Sequence, residues 1–180
     1  MITVIINDVA VEAVLGDGLL EVARRNRAHI GFVCDGNGLC TTCECLVLAG
    51  AENLSVPNRA ERDWLSPARL AKGYRLACQS TINGLGPVAV LTRAEELRRL
   101  WDNLVNASSD RTYDQNWRRL VGYSVQLTAD HLSMFPLNLA RTVARLGIVR
   151  TILPVQDNNR WFRDVGRVID ERTDDAANQL

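Results

Sequence analysis

Apolar residues open the chain in two short stretches, Ile2 to Ile6 and Val9 to Val14, separated by Asn7-Asp8. β-Branched side chains suit a pleated, half-buried surface, and an Asn-Asp pair tolerates the positive φ of a tight hairpin turn, so this pattern predicts two antiparallel strands. The period then changes. Leu19, Leu20, Val22 and Ala23 give one apolar side at helical spacing, Asp17 stands where an N-cap belongs, and a basic last turn ending near Arg27 suits a helix C-terminus. After a glycine-rich loop, strand signals return at Cys45-Leu46-Val47-Leu48, near Tyr74 to Cys78 and at Val88 to Leu91, with a helical stretch around Ala60 to Leu65 between them. A small mixed sheet crossed by one helix is the β-grasp pattern.

From Thr92 onward the strand signals fade. Thr92-Arg93-Ala94-Glu95 has the form of a capping box, and Leu97, Leu100, Trp101 and Leu104 follow it at helical spacing. Further helices are expected at roughly 113–127, at 136–150 with Pro136 in the first turn, and at 158–170, with a frayed end over the last ten residues. The expected class is therefore α+β: a β-grasp domain over 1–93 and a helical extension over 94–180.

Charge narrows the functional field. Lys and Arg equal Asp and Glu in number across the 180 residues, and they balance within each region too, so there is no basic surplus for nucleic acid. No basic leader precedes an apolar core and no apolar run approaches a bilayer-spanning length, which gives the expectation of a cytoplasmic protein without transmembrane helices. There is no G-x-G-x-x-G after a strand, no P-loop and no nucleophile elbow, and the expectation is a carrier rather than an enzyme.

The five cysteines change the picture most. An odd number clustered in one region of a protein from a reducing compartment points to metal rather than to disulfides. Cys34-Asp-Gly-Asn-Gly-Leu-Cys40-Thr-Thr-Cys43 is C-x5-C-x2-C, and Cys78 follows in Arg75-Leu-Ala-Cys78-Gln. That is one residue longer in the first gap than the plant-type iron–sulfur spacing. Gly36 and Gly38 can take positive φ and bring backbone N–H groups close to the sulfurs. Zinc is the competing metal, although only one C-x2-C is present. Cys45 reads as a small buried hydrophobe, with a ligand swap as its alternative. Asp35 and Glu44 flank cysteines; they either depress the potential of a nearby cluster or are solvated surface acids. His29 precedes the loop, but two-His ligation would need a second histidine, and His131 lies far along the chain.

With Ile30-Gly-Phe-Val-Cys34, Cys43-Glu-Cys45-Leu-Val-Leu-Ala-Gly50 and Leu76-Ala-Cys78-Gln79 in place, residues 1–93 resemble a [2Fe–2S] ferredoxin domain, with the longer first gap that adrenodoxin-type ferredoxins show. The resemblance implies a β-grasp fold, one [2Fe–2S] cluster ligated by Cys34, Cys40, Cys43 and Cys78, a low potential, and exchange of single electrons with redox protein partners. More narrowly, Ala28 to Cys40, Leu91 to Arg99 and the carboxy-terminal extension are similar to the iron–sulfur proteins of the chlorosome envelope in green photosynthetic bacteria. That likeness implies attachment to the envelope and a part in redox control of light-energy transfer, with quinone or bacteriochlorophyll quenchers as what is reduced.

The extension carries its own ambiguity. Leu139, Val143 and Leu146 share one helical face, Arg141 and Arg145 share another, and no acid lies between Asp130 and Asp157. Such a helix can lie on an envelope or on the inner face of a membrane, or pack on the ferredoxin domain or on a second copy in a homo-oligomer. Two other readings stand beside the envelope carrier: an attached scaffold whose cluster senses redox state, and a ferredoxin that supplies electrons to an oxygenase.

Overall fold

The computed structural model describes residues 1–106, 113–155 and 157–177. Strands β1 (Ile2–Ile6) and β2 (Val9–Ala13) form the hairpin, and both turn residues, Asn7 at φ 54° and Asp8 at φ 70°, adopt the left-handed conformation that matches strand twist in a two-residue turn. Helix α1 (Leu19–Arg25) follows, with Gly18 at its N-cap. Asp17, expected at that cap, instead accepts hydrogen bonds from the Val14 amide and the Arg25 guanidinium.

Strand β3 (Glu44–Ala49) leads through a 3-10 turn (Ala51–Asn53) to α2 (Arg59–Trp64), capped by an Asn58/Glu61 capping box, and to α3 (Pro67–Ala71). The sequence pattern did not separate α3 from α2. Ser66 caps α3 and Pro67 begins it, a start signal confined to a helix too short to show a period. Strand β4 is only Tyr74–Leu76, because the chain turns into a 3-10 segment (Ala77–Gln79) that carries Cys78. Strand β5 (Val88–Thr92) completes a mixed sheet of order β2-β1-β5-β3-β4, in which β1 and β5 are parallel and the other pairs antiparallel. Ile2, Val4, Ile6, Leu19, Val22, Leu76, Ile82, Val88 and Val90 form the core between sheet and α1. The α+β class with a β-grasp sheet is the observed architecture.

Helix α4 (Arg93–Val105) starts directly from β5. Thr92 is fully buried and ties three elements together: its hydroxyl accepts from the Glu95 amide and donates to the His29 carbonyl, while its amide donates to Asn7. The reciprocal half of the expected capping box is missing, since the Glu95 carboxylate turns instead to His29, Arg98 and Arg99. The two helices expected at 113–127 and 136–150 are one, α5 (Tyr113–Leu146), with Pro136 inside it rather than in a first turn. A proline there removes one helical hydrogen bond but does not stop a helix held along its length by neighbours. A short helix α6 (Ile148–Ile152), which was not foreseen, follows Gly147 at φ 80°, and α7 (Asn158–Ala177) runs beyond the expected limit of 170. Of the tail expected to fray, 178–180 lie outside the described residues. Among the described residues, no helix is long and apolar enough to cross a membrane.

The face α5 turns toward the ferredoxin-like body is polar. Asn138 and Thr142 are buried there, while Leu132, Leu137 and Leu139 are exposed. Phe135 meets Trp64 edge to face at 6.4 Å, and Arg141 pairs with Asp63 at 3.5 Å.

Candidate metal centre

Three thiols come from the loop between α1 and β3, and the fourth from the 3-10 turn after β4. Cys34 and Cys43 are buried, and Cys40 and Cys78 are partly exposed. Antiparallel pairing of Glu44 with Leu76 brings the start of β3 beside the end of β4, and the Ala77 amide donates to the Cys43 carbonyl at 3.1 Å. That register sets Cys78 against a loop more than thirty residues earlier.

The four thiols come as two pairs. Cys34 and Cys40 lie 3.2 Å apart sulfur to sulfur, and Cys43 and Cys78 are joined by a hydrogen bond. In each pair the pKa of one thiol is raised and that of the other lowered. The bond between Cys34 and Cys40 lowers Cys40 to about 5 and raises Cys34, while the bond between Cys43 and Cys78 raises Cys43 and lowers Cys78, against burial that opposes every charge. Among the described residues, no three His, Cys, Asp or Glu side chains gather as for one ion. Two thiolates on one tetrahedral metal sit roughly 3.7 Å apart when each metal–sulfur bond is about 2.3 Å, so the Cys34–Cys40 spacing needs only a small opening. Two dithiolate pairs suit a two-iron cluster.

Backbone amides surround the sulfurs. The Gly38 amide donates to Cys78, the Leu39 amide to Cys34, and the Thr42 amide to Cys40. The Cys40 sulfur and the Thr42 hydroxyl are 3.1 Å apart, and Gln79 Nε2 donates to Cys78 at 3.3 Å and to the Gly36 carbonyl at 3.1 Å. Gly36 and Gly38 have φ of 85° and 60°, the left-handed turns that fold the loop back on itself. At Gly38 a Cβ would also meet Gln79 Nε2 at 2.9 Å.

Neither acid beside the loop is solvated. Asp35 pairs with Arg24 at 2.6 Å, and Glu44 is buried against Arg69 with Arg93 at 3.8 Å. Their charges are balanced locally by these partners, which rules out the reading as solvated surface acids. His29 is engaged with Glu95 at 3.1 Å. Cys45 is buried on β3 with its sulfur 3.7 Å from the Arg75 carbonyl, and burial pushes its thiol up to about 12.

The extension also reaches this loop, which the sequence reading left open. Arg145 Nη2 donates to the Gly38 carbonyl at 2.8 Å, and the Asn37 side chain donates to the Pro154 carbonyl. Trp161 packs edge to face on Phe32 at 6.4 Å, and Asp164 pairs with Arg24 at 2.6 Å. Gln79 was within reach of the sequence as the neighbour of Cys78. Trp161, with Phe162, Arg160 and Arg163, invites a reading as a helix packed on the ferredoxin domain, while nothing along the chain marks Pro154 or Asp164 as partners of residues more than a hundred positions earlier.

Residues 2–83 match the model of the 2Fe-2S iron-sulfur cluster binding domain. Chlorosome protein J of Chlorobaculum tepidum is 46% identical over 120 residues, 67% of this chain and 51% of that protein. Chlorosome protein I of the same organism is 45% identical over 96 residues, 53% of this chain and 39% of that protein. The 2Fe-2S ferredoxin-5 of Aquifex aeolicus is 32% identical over 80 residues, 44% of this chain and 83% of that protein. The chain thus spans about half the length of the first of these relatives and less of the second.

Proposed function

This chain belongs to the [2Fe–2S] ferredoxin family, and from that premise we propose that it is a one-electron carrier held at the chlorosome envelope. Its cofactor is a [2Fe–2S] cluster. In this reading Cys34 and Cys40 hold one iron, Cys43 and Cys78 the other, and the residues from 94 onward are the attachment and docking region. The cluster, when bound, takes up and gives back one electron. The chain's own part is to keep four thiolates in place, direct amides of Gly38, Leu39 and Thr42 at them, and seal the inner side of the loop with Ile30 and Phe32. The observation that carries the carrier reading is the arrangement of the thiols as two amide-braced pairs.

Support for the envelope comes from a separate quarter. An alignment of 120 residues to Chlorosome protein J cannot fit within 1–93, so the likeness extends into the helices. Those helices leave Trp101, Val125, Leu132, Ile148, Val149, Ile152 and Phe162 exposed, a share of apolar surface that suits contact with lipid or with an envelope protein. Redox protein partners and exchange of electrons with envelope acceptors belong to the same proposal.

One preparation tests both parts. The purified protein should give a reducible [2Fe–2S] signal in electron paramagnetic resonance; zinc without iron or labile sulfide would end the carrier reading. The double variant Val149→Glu/Ile152→Glu should keep that signal but lose most of its co-sedimentation with chlorosome envelopes. Equal partitioning of variant and parent would end the attachment reading.

A further inference from the structure

Arg145 stands near the C-terminal end of α5 and has no contact with a thiol, yet its guanidinium donates to the Gly38 carbonyl at 2.8 Å and reaches the Asn37 carbonyl at 3.5 Å. Each carbonyl shares a peptide unit with the next residue's amide. The Asn37 carbonyl belongs to the unit whose N–H is that of Gly38, which donates to Cys78. The Gly38 carbonyl belongs to the unit whose N–H is that of Leu39, which donates to Cys34. One guanidinium therefore holds the oxygen ends of two consecutive peptides whose nitrogen ends point at two sulfurs, one from each thiol pair.

We propose that Arg145 is a positioning residue that raises the reduction potential of the centre by gripping the Asn37 and Gly38 carbonyls and polarising the amides aimed at Cys78 and Cys34. A cation at a carbonyl oxygen draws electron density along the peptide and makes its N–H a stronger donor, as chained hydrogen bonds strengthen one another in a low dielectric. An added electron increases negative charge on the sulfurs, so stronger donors favour the reduced state. Geometry adds to polarisation: Gly38 is left-handed and buried, and the Asn37 side chain, donating to the Cys34 and Pro154 carbonyls, locks the same turn from its other side. Arg145 thereby gives the helical extension a direct hold on the redox property of the cluster domain.

The inference rests on ligation by Cys34 and Cys78. The experiment is a mediated redox titration of full-length holoprotein, parent against Arg145→Gln, Arg145→Lys and Arg141→Gln, with iron and sulfide content measured on each. Arg141 lies one turn earlier on α5 and pairs with Asp63, so its variant removes the same charge without touching the loop. The expected result is a lower potential in Arg145→Gln, equivalent to a roughly tenfold less favourable reduction, a smaller drop in Arg145→Lys, and little change in Arg141→Gln. Weaker proton coupling from exchangeable amides in the reduced spectrum should accompany the drop. Equal shifts in Arg145→Gln and Arg141→Gln, or none in either with the cluster intact, would overturn the proposal. If Arg145→Gln does not hold its cluster, Arg145→Lys against Arg141→Gln decides by the same criterion. A cluster that survives Cys34→Ser and Cys78→Ser with an unaltered spectrum would instead sink the ligand assignment.

Discussion

Four thiols brought into one small volume repel one another as soon as they ionise, and the loop answers with amides rather than with basic side chains. That choice places the burden on backbone conformation, and Gly38 shows how tightly. A Cβ there would sit 2.9 Å from Gln79 Nε2 and 3.2 Å from the Ala60 Cβ, at φ 60°. Gly16 is a useful contrast, with φ 91° and nothing within 4 Å. Gly16→Ala should cost only backbone strain, about 1 kcal/mol, whereas Gly38→Ala should cost about 2–3 kcal/mol and displace Gln79 from Cys78. Urea unfolding of both holoproteins, with the cluster absorbance as second readout, measures the difference; equal costs would mean that the loop has room to spare at Gly38. Cys45 marks the other limit at this scale. Only two residues beyond Cys43, it is buried on β3 with its sulfur toward the Arg75 carbonyl and belongs to neither thiol pair.

At the level of elements, the junction between β5 and α4 depends on one carboxylate. Burial works to raise the Glu95 acid, but hydrogen bonds from Arg98, Arg99 and His29 override it and hold the acid at about 2. An acid lowered in the folded state contributes stability that is complete above its ordinary value of 4.5 and is lost as pH falls from there toward 2. Glu95→Gln should therefore destabilise by about 2 kcal/mol at pH 7, allowing for the half-exposed Arg98, and the gap to the parent should close as the pH is lowered through that window. Urea unfolding followed by tryptophan fluorescence reads it; a gap independent of pH would assign the loss to packing. The same elements show where sequence is informative. Asn7-Asp8 and the alternation around it specify a hairpin because local sterics decide the turn. The cysteine spacing was legible as one group because a loop must bring its own thiols together. Pro136 misled, since whether a proline starts a helix or is carried inside one is decided by neighbours such as Trp64 against Phe135, which no local pattern records. Arg145 was visible as part of a basic face, but its partners are carbonyls, and backbone oxygens leave no trace in a sequence.

On the scale of the whole molecule, the cysteine loop and α7 meet along a seam. Arg24 bridges Asp35 of the loop and Asp164 of α7, lies 4.7 Å above the Phe32 ring, and Phe32 in turn receives Trp161. Trp161→Ala should cost about 2 kcal/mol of stability and speed removal of iron by a chelator, because the loop loses its outer support. Unchanged chelation kinetics would show that the loop holds the cluster alone. The seam also has a direction in time. Arg24 and Asp164 are 140 residues apart, and Cys78 leaves the ribosome long before α7 does. At about 5–20 residues per second, all four thiols are synthesised several seconds before α7, whose Trp161 and Asp164 brace Phe32 and Arg24 beside their loop.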